Sequence, residues 1–304
     1  MIRYPITKKA LEAAIAELDA ARPKKAPWLE RARAATKACA DAGKYVEQGP
    51  LWGEIKTVYM RLQRNKCCYC ERPLPSEKYG KGEHDVEHFR PKSEVKAWSD
   101  ASLAGEKLVF AEPTGKAKAA GYHLLAYHVF NYATSCRTCN SALKRNGFPV
   151  AGKRKTAAAD PEKLAGERAY LVYPIGSFDD DPAALITFDG VTPRALPAAG
   201  FARARAVVTI AFFRLDDAAG REELFRARAE AIDYLVLALD ARARARTAKE
   251  KRDADRRIGL LTSAHARHTS CVRSFLALHE RDPAAAKKVH AKVKAYLDSL
   301  VAPS

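Results

Sequence analysis

The chain has 304 residues, of which 47% are hydrophobic and 29% charged. These proportions exclude an intrinsically disordered chain and are typical of a globular protein with a sizeable core. The formal net charge of +17 favours a polyanionic partner, nucleic acid before an anionic membrane surface; the alternative is a solvated basic surface with no specific partner.

No apolar run reaches the roughly 18 residues that a transmembrane helix requires. Charged residues interrupt residues 1–25, a pattern that does not fit a signal peptide. We therefore expect a cytoplasmic protein, in whose reducing environment the seven cysteines do not form disulfides.

Residues 1–64 predict an N-terminal helical region. Apolar residues recur at helical spacing over residues 6–42, and prolines interrupt that stretch, so it predicts two helices. A second apolar stripe runs from Leu51 to Leu62 and predicts an amphipathic helix that leads into the first cysteine cluster.

Residues 65–150 combine Cys, His, Gly and Pro with short apolar runs, which is the composition of a small metal-braced unit. Within it, residues 99–121 predict a loop insertion with a short strand at Leu108–Phe110. Residues 122–134 predict a helix leading to the second cysteine cluster. The fold class expected is mainly α with a small α+β core.

Residues 151–202 predict a linker with short strands at Tyr170–Tyr173 and Leu185–Phe188. Residues 203–304 predict a C-terminal region of three or four helices, rich in alanine and arginine. Its arginines either follow a phosphate backbone or are simply solvated, since they do not form one helical stripe. The arginines considered for such contacts are Arg203, Arg205, Arg242, Arg244, Arg246, Arg256 and Arg257.

Two Cys-x-x-Cys pairs, Cys67 with Cys70 and Cys136 with Cys139, carry the most specific signal in the chain. Each pair places two thiolates on a tight turn, and four sulfurs suit a tetrahedral Zn²⁺. Four protein ligands leave no open position for water, so the sequence predicts a structural zinc rather than a catalytic one.

The other cysteines and His84 have less specific settings. Cys68 is an alternative ligand to Cys67, although the spacing to Cys70 favours Cys67. Cys39 and Cys271 lie in helical stretches and are expected to be core residues. His84 is expected in a solvent loop, with metal binding as the alternative.

Three segments extend the cysteine pattern: CYCE at Cys68–Glu71, VEHFRPKS at Val86–Ser93 and CRTCNSALKRNGFPV at Cys136–Val150. Asn131 precedes the last segment. Together they resemble the HNH (ββα-metal) endonuclease family, in particular the HNH subunits of Septu-type and retron-associated anti-phage systems. The resemblance implies a zinc-stapled ββα-metal core.

The resemblance also implies site roles. His88 would be the general base that takes a proton from water, and Asn131 would orient it. Glu87 and Asn140 would bind a catalytic Mg²⁺ or Mn²⁺. Most family members have Asp in place of Glu87, so Asp85 is an alternative ligand or shares that role.

Three basic residues, Arg90, Lys92 and Lys144, are expected to bind the substrate phosphates. A short helix is predicted at Ser141–Asn146, opened by Asn140, and a helix N-terminus attracts phosphate. Lys144 lies one turn beyond Asn140, on the same face of that helix.

One geometric requirement accompanies these roles. Neighbouring residues of a regular strand point to opposite faces, so Glu87 and His88 reach one site only if the strand breaks near His88. Pro91, three residues later, is consistent with such a break.

The expected function is hydrolysis of phosphodiester bonds in DNA by an effector of anti-phage defence. One alternative is a non-catalytic zinc-braced nucleic-acid-binding module, which needs the cysteines and the charge but not His88. Another is an RNase that uses the same site. The chain has no G-x-x-x-x-G-K-[ST] phosphate loop, so the resemblance implies a separate ATPase or sensor protein as partner.

Overall fold

The fold, described by a computed structural model over residues 1–21, 25–49, 51–78, 80–103 and 115–301, is mainly helical. Within those ranges it contains ten α-helices and two separate two-stranded antiparallel sheets. The expected fold class, mainly α with few strands, is confirmed at this level. The strand expected at Leu108–Phe110 lies outside the described residues.

The N-terminal region begins with the two predicted helices, α1 (Lys8–Ala20) and α2 (Trp28–Ala42). Thr7 caps α1, because its hydroxyl oxygen accepts a hydrogen bond from the backbone N–H of Ala10 at 3.2 Å. Helix α2 ends at Gly43, whose left-handed conformation favours glycine.

The helix predicted over residues 51–62 forms in two pieces, α3 (Leu51–Glu54) and α4 (Lys56–Leu62). The break lies at Ile55. The carbonyl of Leu51 accepts a hydrogen bond from the indole of Trp28 at 2.8 Å, which fixes α3 against α2.

A hairpin forms the centre of the cysteine region. Strand β1 (Asp85–His88) pairs with β2 (Tyr132–Ser135), with His88 opposite Tyr132. The helix predicted over residues 122–134 is therefore wrong: two short 3₁₀ turns precede β2. Its apolar run suits a buried strand as well as a helix, and pairing with the distant β1 decides the outcome.

A π-helical turn at Thr138–Lys144 follows β2, where a helix was predicted slightly later, at Ser141–Asn146.

The position of His84 also differs from the prediction. His84 is fully buried, with its Nε2 atom 2.7 Å from the carbonyl oxygen of Pro75. The prediction of a solvent loop at His84 is wrong, because the preceding chain folds over it.

The middle of the chain contains helix α5 (Pro182–Leu185) and a second hairpin, β3 (Ile186–Asp189) with β4 (Thr192–Ala195). The strand predicted at Leu185–Phe188 is thus confirmed within one residue. The strand predicted at Tyr170–Tyr173 is not formed; that segment is buried and irregular, and the N–H of Tyr170 donates to the carbonyl of Pro149 at 3.1 Å.

Five helices make up the C-terminal region, where three or four were predicted. They are α6 (Gly200–Phe212), α7 (Glu222–Arg244), α8 (Ala248–Thr262), α9 (Thr269–Arg281) and α10 (Pro283–Ser299). Arg205, expected to be a phosphate contact or solvated, is instead buried and pairs with Asp179 at 2.7 Å. No helix in the described ranges is both long enough and apolar enough to cross a membrane.

Packing joins regions that the sequence separates. One hydrophobic core contains residues of α1 and α2, the cysteines of both pairs and the end of α6. A second core lies among the C-terminal helices α7 to α10. The cysteine region therefore shares its interior with the N-terminal helices.

Buried charges attach α9 to the first cysteine pair. Glu71 is 2% exposed and accepts hydrogen bonds from the backbone N–H and the hydroxyl of Ser270. Burial raises the pKa of Glu71, but the α-amino group of Met1, at 2.7 Å, and Lys66 together bring it to about 2. Lys66 also donates to the hydroxyl of Thr269 at 2.9 Å.

Gln63, at the end of α4, joins that helix to β2. Its Oε1 atom accepts from the N–H of Thr134 at 2.7 Å, and its Nε2 atom donates to the Thr134 carbonyl at 2.7 Å. Gln63 is fully buried, so if its side-chain amide is removed, water cannot take its place as the partner of the Thr134 backbone groups.

We predict that Gln63→Leu lowers the free energy of unfolding by about 3 kcal/mol, because it leaves a buried N–H group unpaired. Urea denaturation of the two proteins measures this difference. Gln48 is exposed, so Gln48→Leu is the matched control, with an expected change below about 0.5 kcal/mol. Equal losses for both variants would contradict the role of Gln63.

Candidate metal centre and adjoining residues

Four cysteines come together behind the central hairpin. The Sγ atoms of Cys67, Cys70, Cys136 and Cys139 all lie within 4.8 Å of one another, and all four residues are buried. This arrangement can hold a metal ion, as the paired spacing predicted. Cys68 is buried but outside the cluster, so the choice of Cys67 over Cys68 is confirmed.

Local backbone bonds shape the two cysteine turns. In the first, the carbonyl of Cys67 accepts from the N–H of Glu71 at 3.1 Å, and Glu71 adopts a left-handed conformation. In the second, the carbonyl of Cys136 accepts from the N–H of Asn140 at 3.0 Å. The second turn follows β2 directly, so the cluster fixes the hairpin against α4.

The thiols perturb one another. Hydrogen bonds with Cys136 and Cys139 lower the pKa of Cys70, whereas burial raises the pKa of Cys67. Four thiols this close cannot all ionise in a buried setting, because like charges repel. A divalent cation removes that penalty, so metal binding and thiol ionisation are coupled.

We predict that the native chain binds one metal ion per molecule at this cluster and that Cys136→Ser abolishes this binding. Loss of a direct ligand should exceed the ~10–100-fold loss of affinity typical of residues outside the coordination sphere. Elemental analysis of the purified protein measures the ratio. Cys68→Ser is the control, and an equal loss of metal there would contradict the assignment.

Strand β1 distributes the predicted site residues over two faces. Asp85 and Glu87 contact the π-helical turn, whereas His88 contacts the opposite side of the hairpin. The strand stays regular through His88, which pairs with Tyr132. The break that would bring Glu87 and His88 to one site is absent from this described part of the chain.

Glu87 is held by Lys144. Both side chains are 1% exposed, and the Lys144 Nζ atom lies 2.5 Å from the Glu87 carboxylate. Lys144 also donates to the His88 carbonyl at 3.0 Å. Burial raises the pKa of Glu87, and Lys144 opposes that shift. Lys144 was expected to bind a substrate phosphate and Glu87 to bind a metal ion. In the structure both are buried and pair with each other.

We predict that Lys144→Met lowers the free energy of unfolding by about 3–5 kcal/mol, because it leaves the buried Glu87 carboxylate without a counter-ion. The double variant Glu87→Gln, Lys144→Met should lose less than the two single variants summed. Chemical denaturation measures the cycle. Lys163→Met, at an 83% exposed side chain, is the control. An unchanged free energy of unfolding in Lys144→Met would show that the pair does not stabilise the fold.

Asp85 and Asn140, two of the predicted ligands of the catalytic ion, do lie together. The Nδ2 atom of Asn140 donates to Asp85 Oδ2 at 3.2 Å, and the hydroxyl of Ser141 donates to the same oxygen at 3.0 Å. Glu87 pairs with Lys144 instead of joining this contact. The described geometry therefore does not fit a Mg²⁺ held by all three.

His88 is half-buried, and its Nε2 atom lies 3.2 Å from the carbonyl of Ala126. A carbonyl only accepts, so Nε2 carries the proton and Nδ1 keeps its lone pair. Burial first, then Lys92, lowers the pKa of His88 to about 3, which keeps the ring neutral. The ring also meets Trp52 edge-on, with centroids 5.0 Å apart.

Asn131 is fully buried and fixes the chain just beyond His88. Its Oδ1 atom accepts from the N–H of Arg90 at 2.8 Å, and its Nδ2 atom donates to the carbonyls of Arg90 and Leu125, each at 3.0 Å. It was expected to orient His88 directly. In the structure it holds the backbone that follows His88.

The two basic residues after β1 differ in accessibility. Arg90 is 4% exposed and pairs with Glu167 at 3.2 Å, so it does not lie at a surface that meets substrate, contrary to expectation. Lys92 is half-buried on the same side as His88, 4.6 Å from the ring centres of Tyr45 and Trp52. Neither aromatic residue was predicted for the site, since Tyr45 lies outside the predicted helices and Trp52 lies off the apolar stripe that begins at Leu51.

Comparisons with protein-family models, with curated proteins and with solved structures find no match for this chain. Function must therefore be inferred from the geometry above and from the short segments that carry the resemblance.

Proposed function

We propose that this protein is a metal-dependent HNH-type endonuclease that hydrolyses phosphodiester bonds in DNA. The observation that carries this proposal is the sequence of elements at the cysteine cluster. Hairpin β1–β2 runs directly into the second cysteine turn and its helical segment, so His88, Asn131 and Asn140 lie on elements joined at one buried cluster, with His88 and Asn140 on opposite sides of β1. The high positive charge suits a nucleic-acid substrate.

Zn²⁺ is the ion that we assign to the four cysteines. Four thiolates in a closed tetrahedral site suit zinc, which is redox-inert and imposes no geometry of its own. All four ligands are buried, which leaves the ion no position for water or substrate. Its role in the proposal is to stabilise the unit.

His88 is assigned as the general base. Its Nδ1 atom keeps a lone pair because Nε2 donates to Ala126, and this lone pair is the proposed acceptor of the water proton. The low pKa of the ring means that this role needs an anionic substrate beside it, which would raise that pKa. Asn131 supports it by holding the backbone at Arg90. Lys92, beside His88, is assigned to the substrate phosphate.

The catalytic divalent ion remains part of the proposal by resemblance, without an assigned step. When bound, such an ion would neutralise charge on the scissile phosphate. Asp85 and Asn140 are the two expected ligands that adjoin. The role in anti-phage defence, and a separate ATPase or sensor partner, also follow from resemblance.

The Glu87–Lys144 ion pair favours a second candidate function, a non-catalytic zinc-braced module that binds nucleic acid. Because a buried lysine neutralises the Glu87 carboxylate, the pair can stabilise the fold. A binding module does not need Glu87 as a metal ligand. Such a module would bind DNA through its basic surface and leave it intact.

We predict that the native chain cleaves plasmid DNA with Mg²⁺ or Mn²⁺, and that His88→Ala lowers the rate at least ~100-fold, because a positioned base contributes about that much. Gel assays with plasmid and with RNA measure cleavage. His265, an exposed histidine, provides the control His265→Ala, which should cleave at the native rate.

Each other outcome selects an alternative. Binding of DNA without cleavage under either ion would support the non-catalytic module. Cleavage of RNA alone would support the RNase. Full activity of His88→Ala, with zinc content unchanged, would remove His88 as the base.

A further inference from the structure

Arg221 reaches the cysteine cluster from the start of α7. Its Nη2 atom lies 3.7 Å from the Sγ atom of Cys139, within hydrogen-bonding distance of sulfur. Its Nη1 atom donates to the carbonyl of Phe213 at 2.6 Å. Two anchors thus fix a guanidinium at the edge of the metal centre.

Phe213 brings the end of α6 to the same place. Its ring stacks on Tyr69, with centroids 3.8 Å apart, and Tyr69 lies inside the first cysteine turn. The carbonyl of Phe213 then positions Arg221 against the second turn. Elements from beyond residue 200 therefore contact both cysteine turns.

The charge of the centre explains what Arg221 does there. One Zn²⁺ and four thiolates sum to about −2, and a buried charge of this size is costly unless it is paired. Cys136 Sγ accepts a backbone N–H from Cys139 at 3.5 Å, which supplies a dipole but no charge. Within the described ranges, Arg221 is the basic side chain that hydrogen-bonds a sulfur of the cluster.

Nearby charges have other partners. Lys66 pairs with Glu71, and Arg72 lies 3.6 Å from Glu223. Arg267 lies 3.2 Å from Glu230. Glu222 and Glu223, the carboxylates next to Arg221 in α7, are exposed, whereas the guanidinium of Arg221 hydrogen-bonds to the sulfur of Cys139.

We propose that Arg221 is the outer-sphere cation of the zinc site, and that its N–H···S bond controls how tightly the ion is retained. The inference rests on the zinc of the proposed function. A cavity of about 520 Å³ is lined by Arg221 together with Arg72, Thr138 and His268, so Arg221 borders open space.

The test measures zinc retention in the full-length protein. Arg221→Met removes the charge and the N–H donors, and we expect zinc affinity in chelator competition to fall 10–100-fold, as for other outer-sphere partners. Arg221→Lys keeps the charge but loses the planar guanidinium, so its zinc affinity should lie between those of the native protein and Arg221→Met. Arg226→Met, at an exposed arginine of the same helix, should match the native protein.

A spectroscopic readout separates this role from general destabilisation. In the Co²⁺-substituted protein, loss of an N–H···S bond should shift the thiolate-to-metal charge-transfer band of Arg221→Met to longer wavelength. The band of Arg226→Met should not move. If Arg221→Met does not fold, the band and the zinc affinity of Arg221→Lys decide the question in the same way.

Two negative results have different meanings. Native protein that holds zinc, together with Arg221→Met of unchanged affinity and unshifted band, would overturn this inference alone. Native protein that binds no zinc would overturn the zinc assignment and this inference with it. Loss of nuclease activity plays no part in either outcome.

Discussion

The mutual approach of four cysteine sulfurs is the constraint on which the rest of this structure depends. It joins the turn after α4 to the turn after β2, and so fixes the hairpin that carries His88, Glu87 and Asp85. An ion bound there would replace the repulsion between ionised thiols by coordination and so stabilise the cluster. The proposed chemistry depends on this cluster of four cysteines.

The arrangement around the hairpin sorts the charged residues into two kinds. Glu87, Lys144 and Arg90 are buried and paired, so they stabilise the interior. His88 and Lys92 remain partly accessible on the other side, beside aromatic rings. The proposed site is therefore centred on His88, and the adjoining pair of Asp85 and Asn140 lies on the other side of the strand.

Local spacing was sufficient for some features and insufficient for others. The paired cysteines predicted the cluster because a tetrahedral metal dictates both spacings, and α1 and α2 followed from apolar periodicity. The burial of Lys144 could not be predicted, because its ion pair with Glu87 depends on which face of β1 meets the π-helical turn. The helix expected before Cys136 failed for a similar reason, since strand pairing involves a partner far away in sequence.

The buried contacts between the first cysteine turn and α9 have a consequence for how the chain matures. Lys66 and Glu71 find Thr269 and Ser270 as partners, contacts that span 203 and 199 residues. During synthesis Met1, Lys66 and Glu71 are available to one another early, but Thr269 and Ser270 can join them only after residue 270 has emerged from the ribosome. Contacts of such long range slow folding, so the metal centre should reach its native surroundings late, as a product of global assembly rather than its nucleus.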